Sequence, residues 1–175
     1  VTTPLAPHDD DAARRMWDEY LAAHPQVAAD PGQELVVDHF GDSAELSEEL
    51  LSLVLEGPKR ATATLAVEFA EDGEPLPRIG GHWVACDGTG RPRAVLRTTE
   101  LRLGPVASVD DAFAYDEAED DRSRASWLEN HLRYWRRVCA DRGIAWTEDL
   151  DVVFERFAVV WPPEVADAPA PLTAD

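Results

Sequence analysis

The sequence predicts an α+β fold built around a small set of mixed strands. Three observations point there. Segments with helical apolar spacing interleave irregularly with short strand-like runs, without the regular strand–helix alternation of a doubly wound sheet. The run from Asp151 to Trp161 is apolar on both faces, as a central or barrel-closing strand is. No internal repeat is present. With 175 residues, 45% of them apolar and six of them Trp, the chain has material for one domain with a real core.

Residues 1–8 and 162–175, rich in Pro, Ala and Asp, read as loose tails. Asp9 to Ala23 is a helix: three Asp sit at its start, where the helix dipole favours them, and Met16, Trp17, Tyr20 and Leu21 form its apolar stripe. Residues 24–41 connect it to a second helix, Asp42 to Glu56, with Asp42 and Glu45 spaced as a capping box and Gly57-Pro58 as its stop. Ala61 to Phe69 fits a strand or a short helix. Strands follow at His82–Cys86 and Arg93–Leu103, separated by a hairpin-type loop, Asp87-Gly88-Thr89-Gly90. Helical sequence resumes at Val109, and after an acidic run a long helix spans Ser123 to Arg142, ended by Gly143. Trp127, His131, Tyr134, Trp135 and Val138 share its apolar face.

Formal charge is −19, which argues against non-specific binding to double-stranded DNA or an anionic membrane. The charge is uneven: residues 57–104 are nearly balanced, while both flanking stretches are strongly acidic. An anionic or electron-rich ligand is tolerated in the middle segment alone. Cys86 and Cys139 form no CxxC pair and suggest neither a disulfide framework nor a zinc site. No signal-peptide pattern and no apolar run of membrane-spanning length occurs, so a soluble cytoplasmic protein is expected.

Lys59 is the sole lysine, against fifteen arginines. Where Arg serves for every other positive charge, a Lys marks a place where Arg would fail. Lys is a compact amine that can lose its proton when desolvated, and Arg cannot. Thr62 and Thr64 follow closely, next to a helix-ending turn. The alternative is an exposed lysine of no consequence.

The acidic run Asp116 to Asp121 has three readings: the negative start of the next helix, a divalent-metal site, or a source of one carboxylate acid–base beside Lys59. Metal is the weakest, because no His keeps an obvious spacing to it. Glu100 pairs with Lys59 or an Arg if it points inward, and is a surface charge, the preferred reading, if it points outward. His131 reads as a hydrogen-bonded core histidine, and His82 has no triad partner. Gly88-Thr89-Gly90 is a turn and not a phosphate loop, since no helix follows it. Trp83 and Trp146 are the tryptophans to consider for base stacking.

Taken in order, HFGDS at 39–43, LEGPKRATATL at 55–65, GEPLPRIGGHWV at 73–84, AVLRTTELRL at 94–103, the stretch 114–131 and EDLDVVFERFAVV at 148–160 resemble the ASCH-domain family, in particular its longer bacterial group. The resemblance implies a PUA-like small mixed β-barrel with flanking helices over residues 38–161, an N-terminal extension with one helix at 1–37, and a flexible tail at 162–175. It also implies an association with RNA and modified nucleosides.

One branch of the family removes acetyl from N4-acetylcytidine, and its functional positions fall on Lys59, Thr62 and Glu119, with Glu117 the alternative to Glu119. Arg60, Thr64, Trp83, Arg97 and Glu117 then become candidate substrate contacts, with no metal or cofactor required. The expected partner is a nucleoside or single-stranded RNA. A ribonuclease using Lys59, Arg60 and Arg97, and a non-catalytic binding module, are the competing readings. In relatives the acidic stretch often reads EGEGD where this chain has EAEDD, so residues 118 and 120 lack glycines that shape the loop.

Overall fold

A computed structural model describes residues 2–168. The chain forms α1 (Asp10–Ala23), α2 (Pro25–Ala28), β1 (Val37–His39), α3 (Ala44–Leu55), β2 (Ala61–Leu65), α4 (Ala66–Asp72), β3 (His82–Cys86) and β4 (Pro92–Pro105). After a 3-10 turn at Val106–Ser108 come α5 (Asp111–Glu117), α6 (Arg124–Arg142) and β5 (Asp151–Trp161). The five strands form one mixed sheet of order β1-β3-β4-β5-β2, so the expected α+β class is the observed one. β1 pairs parallel with β3, β3 antiparallel with β4, and β2 antiparallel with β5. The ambiguous stretch from Ala61 resolves into both alternatives: strand to Leu65, then a helix ending at Gly73.

The chain clusters into two compact units, and β4 and β5 run from one into the other. The first unit comprises the chain up to Leu51, His82–Arg97 and the chain from Ala158. Its core joins Ala13, Trp17 and Tyr20 of α1 to Val84 and Val95 of the sheet. The helical spacing of that stripe makes the burial possible, and each large apolar side chain so buried contributes about 1.5–3 kcal/mol. The hairpin at 87–90 is a turn, as expected: Asp87 Oδ1 accepts from the Thr89 hydroxyl and from the backbone N–H groups of Thr89 and Arg91, and Gly90 adopts φ 82°.

Two expectations for this unit are corrected. The N-terminal residues from Thr2 are not a loose tail. Ala6 N–H and Asp9 N–H donate to the carbonyls of Gly88 and Gly90, and Thr3 is held by the Glu45 carboxylate. Polar backbone groups with partners waiting on the hairpin outweigh a composition that suggests disorder. Second, the cap of α3 is Ser43 and not Asp42: the Ser43 Oγ accepts from Leu46 N–H at 3.3 Å, and the Glu45 carboxylate faces Thr3. At the other end, residues 162–168 turn back so that Asp167 exchanges hydrogen bonds with Val159; the rest of the expected tail lies outside the described residues.

The second unit comprises Ser52–Gly81 and Thr98–Phe157. Its core gathers Ala61 and Leu65 of β2, Phe113 and Ala114 of α5, Trp127, Trp135 and Cys139 of α6, and Val152 and Phe154 of β5. Phe113 meets Phe154 edge-on with centroids 5.1 Å apart. Ser123 caps α6 by accepting from Ser126 N–H, and Gly143 ends it in the left-handed conformation. Among the described residues no helix is long and apolar enough to cross a membrane.

Because the cap is the serine hydroxyl, Ser43→Ala is expected to lower unfolding free energy by about 1 kcal/mol. Urea denaturation of the variant beside the parent protein measures the loss.

Candidate active site

The geometry around Lys59 starts with the turn that ends α3. Lys59 N–H donates to Leu53 O at 3.2 Å, and the next residue clips the start of β2 to the end of α5, Arg60 N–H donating to Asp116 O at 2.9 Å. That one backbone contact brings residue 59 alongside residues 117–119. The Arg60 guanidinium turns back onto the carbonyls of Val54 and Lys59, at 2.9 and 2.7 Å, and so secures the turn.

Lys59 is fully buried. Its Nζ donates to Glu119 Oε1 at 2.7 Å and to the Glu117 carbonyl at 3.3 Å, and lies 3.8 Å from Glu117 Oε1. Both carboxylates between which the sequence could not choose therefore face the amine. They differ in exposure: the Glu119 side chain is 23% exposed, those of Lys59 and Glu117 1%. Glu119 is the member of the cluster that an incoming molecule can reach.

Beneath Lys59, Glu117 Oε2 accepts from the indole N–H of Trp127 and lies 3.3 Å from His131 Nε2. His131 Nδ1 is 2.9 Å from the Trp127 carbonyl, which can only accept, so Nδ1 carries a hydrogen. Burial pushes the Glu117 carboxyl up, but Lys59 and then His131 outweigh it and hold it below its ordinary 4.5. Burial likewise pushes His131 down, and the Glu117 carboxylate overrides this and leaves it above 6.5. Two cations and two anions thus compensate one another where any one of them alone would be costly. His131 is more than the core histidine expected: it supports Glu117, and only the fold reveals that.

The acidic run divides by function. Asp116 takes Arg156 at 2.8 Å, Glu117 and Glu119 take Lys59, Asp120 accepts from Asn130, and Asp121 accepts from Ser123 N–H. The helix-start reading is corrected: the run lies ahead of the Ser123 cap, and the first turn of α6 carries no acid. Glu117, Glu119 and His131 have ligand-like spacing, but the Lys59 ammonium already fills the place a cation would take. The loop keeps the shape glycines would favour, with Ala118 at φ 60° and Asp120 at φ 49°.

Thr62 follows on β2. Ala61, Ala63 and Leu65 pack into the core, so alternation turns Thr62 and Thr64 to the opposite face. The register partner of Thr62 is Glu155, a buried carboxylate that accepts from the Thr98 hydroxyl at 2.6 Å. Neither Glu155 nor Thr98 stood out in the sequence, because each looks like an ordinary strand residue. Glu100 is exposed and paired with Arg156 at 3.3 Å, the surface charge preferred from the sequence. Trp83 packs against Phe40 and Arg97 is exposed on β4; both belong to the first unit.

A surface depression of about 200 Å³ is lined by Glu100, Arg102, Asp110, Phe113, Phe154 and Arg156 and includes none of the Lys59 cluster. Its charged groups have structural partners: Asp110 caps α5, Arg102 lies over Phe154, and Arg156 pairs with Asp116. Chemistry therefore favours the buried cluster over this hollow.

The fold and this cluster define an α+β protein of PUA-like architecture. The ASCH domain family model matches residues 36–161, and the chain belongs to that family. The crystal structure of an ASCH domain from Lactobacillus crispatus is similar at 27% identity and a TM-score of 0.76, over 86% of this chain and 94% of that one. A protein of Enterococcus faecalis is similar at 28% identity and 0.74, over 86% and 88%. Comparison with curated proteins finds no match.

The linked ionisations set a pH window. Glu117 stabilises the fold above 4.5, and this is lost as pH falls through its lowered value; His131 stabilises fully below 6.5, and this is lost as pH rises through its raised value. The stability advantage over His131→Gln is therefore expected to shrink on the alkaline side. An advantage unchanged in urea melts between about pH 6 and about pH 9 would rule out the charged pair. At the strained loop, Ala118→Gly should raise stability by about 0.5–1 kcal/mol, since relief of about 1–2 kcal/mol exceeds the added chain entropy.

Proposed function

We propose that this protein is a hydrolase directed at RNA or nucleosides, and that its substrate is the amide of an N4-acylated cytidine. The observation that carries the reading is the buried Lys59 Nζ, 2.7 Å from Glu119 Oε1. At that distance one proton can pass between them. Transfer leaves a neutral amine able to accept a proton and a neutral carboxylic acid able to give one. Glu117, kept ionised by Lys59 and His131, holds the local charge while this happens.

In the proposed reaction Lys59 takes a proton from the nucleophile, which is a water that Thr62 orients or the Thr62 hydroxyl itself, and the nucleophile adds to the acyl carbon; in the second case a water then hydrolyses the acyl-Thr62 ester and releases the acid. Glu119 delivers a proton to the departing N4 as the carbon–nitrogen bond breaks. The family suggests RNA binding, and the strongly acidic chain favours a nucleoside over a long polyanion. The ribonuclease reading is weaker because Arg60, one of the three groups it draws on with Lys59 and Arg97, is engaged with backbone carbonyls.

Incubation with N4-acetylcytidine should yield cytidine, read by chromatography. Glu119→Gln and Lys59→Arg should each lower kcat by about 10²–10⁴-fold, the second because it keeps the charge and blocks deprotonation. Full turnover by Lys59→Arg would eliminate the base. Cleavage of labelled single-stranded RNA, weakening steeply with salt, would favour the ribonuclease instead. Affinity without product from either substrate would favour a binding module.

A further inference from the structure

The first unit holds a second group of ligating atoms that the chemistry above does not use. We propose that His8, Asp38 and His39 form a site for a divalent transition-metal ion of the zinc, cobalt or nickel kind. His8 Nε2 and His39 Nδ1 face each other at 2.9 Å, Asp38 Oδ1 lies 3.7 Å from His39 Nδ1, and all three residues offer donor atoms within 4.8 Å of one another. Around a tetrahedral ion with bonds of about 2.0–2.1 Å, donor atoms stand about 3.3 Å apart. The imidazoles need to open, and the carboxylate to approach His39, by a few tenths of an ångström, and the His8–Asp38 separation, at most 4.8 Å, to close toward the same value.

The donor set selects the ion. Two imidazoles and one carboxylate suit borderline transition metals, whereas calcium and magnesium want oxygen ligands. The backbone carrying these ligands is already fixed. His8 lies between Ala6 and Asp9, whose N–H groups are bound to Gly88 and Gly90, and His39 ends β1 in register with Cys86. His39 N–H donates to Asp38 Oδ1 at 2.7 Å and orients that carboxylate. The Asp38 carboxylate beside His39 brings the negative charge that suits a cation. The histidines are half-buried and Asp38 is exposed, which leaves a coordination side open to water or a fourth ligand. A bound ion would tie the N-terminal segment to β1.

The test is titration of the tag-free, metal-stripped protein with Co²⁺, followed by its visible ligand-field bands and by calorimetry, with Zn²⁺ as competitor. One ion per chain is expected, with a rise in Tm. His8→Ala and His39→Ala should each weaken binding by at least about 100-fold, while Glu119→Gln, in the other cluster, retains it. His8 lies outside the apolar core, so its variant should fold. Absence of bands and heat at millimolar metal, or unchanged binding in both histidine variants, would overturn the site and leave the two imidazoles simply hydrogen-bonded.

Discussion

The constraint on which the second unit turns is the neutralisation of one buried ammonium. Lys59 has no water to solvate it, and an unpaired charge there would cost several kcal/mol. The fold answers with Glu119 at 2.7 Å and Glu117 behind it, and Glu117 in turn requires Trp127 and His131. One charge thereby draws together the turn after α3, the end of α5 and the Trp127–His131 stretch of α6. Arg in its place would bring a wide, permanently charged fork to a position shaped for a single nitrogen.

Local strain accompanies this arrangement. Ala118, Asp120 and Arg122 all adopt positive φ, a conformation that disfavours residues with a Cβ. They persist because every acid of the loop is anchored: to Arg156, Lys59, Asn130 or Ser123. Backbone strain offset by ionic anchoring is what allows a loop without glycines to present Glu119 toward solvent and Glu117 toward the interior.

The first unit solves a different problem, that of holding a proline-containing N-terminus. It does so with backbone hydrogen bonds to the 87–90 hairpin and with Glu45 on Thr3. This placement brings His8 to His39, across 31 positions of sequence. Spacing rules that look for ligands a few residues apart cannot register such a pair.

Periodicity and punctuation made much of the architecture legible: β3 and β5 lie where their apolar patterns put them, and Gly143 ends α6 as read. The short β1 escaped because three residues carry too little pattern. The solitary lysine, its threonine and the acidic stretch were legible as candidates, through residue type and family resemblance. Tertiary structure alone decided that both Glu117 and Glu119 meet the amine, that His131 and Trp127 stand behind them, and that Arg60 braces a turn. The physical reason is range. Helix and strand signals are local and repeat along the chain, whereas a charge cluster depends on distances between residues far apart in it, which no local pattern encodes.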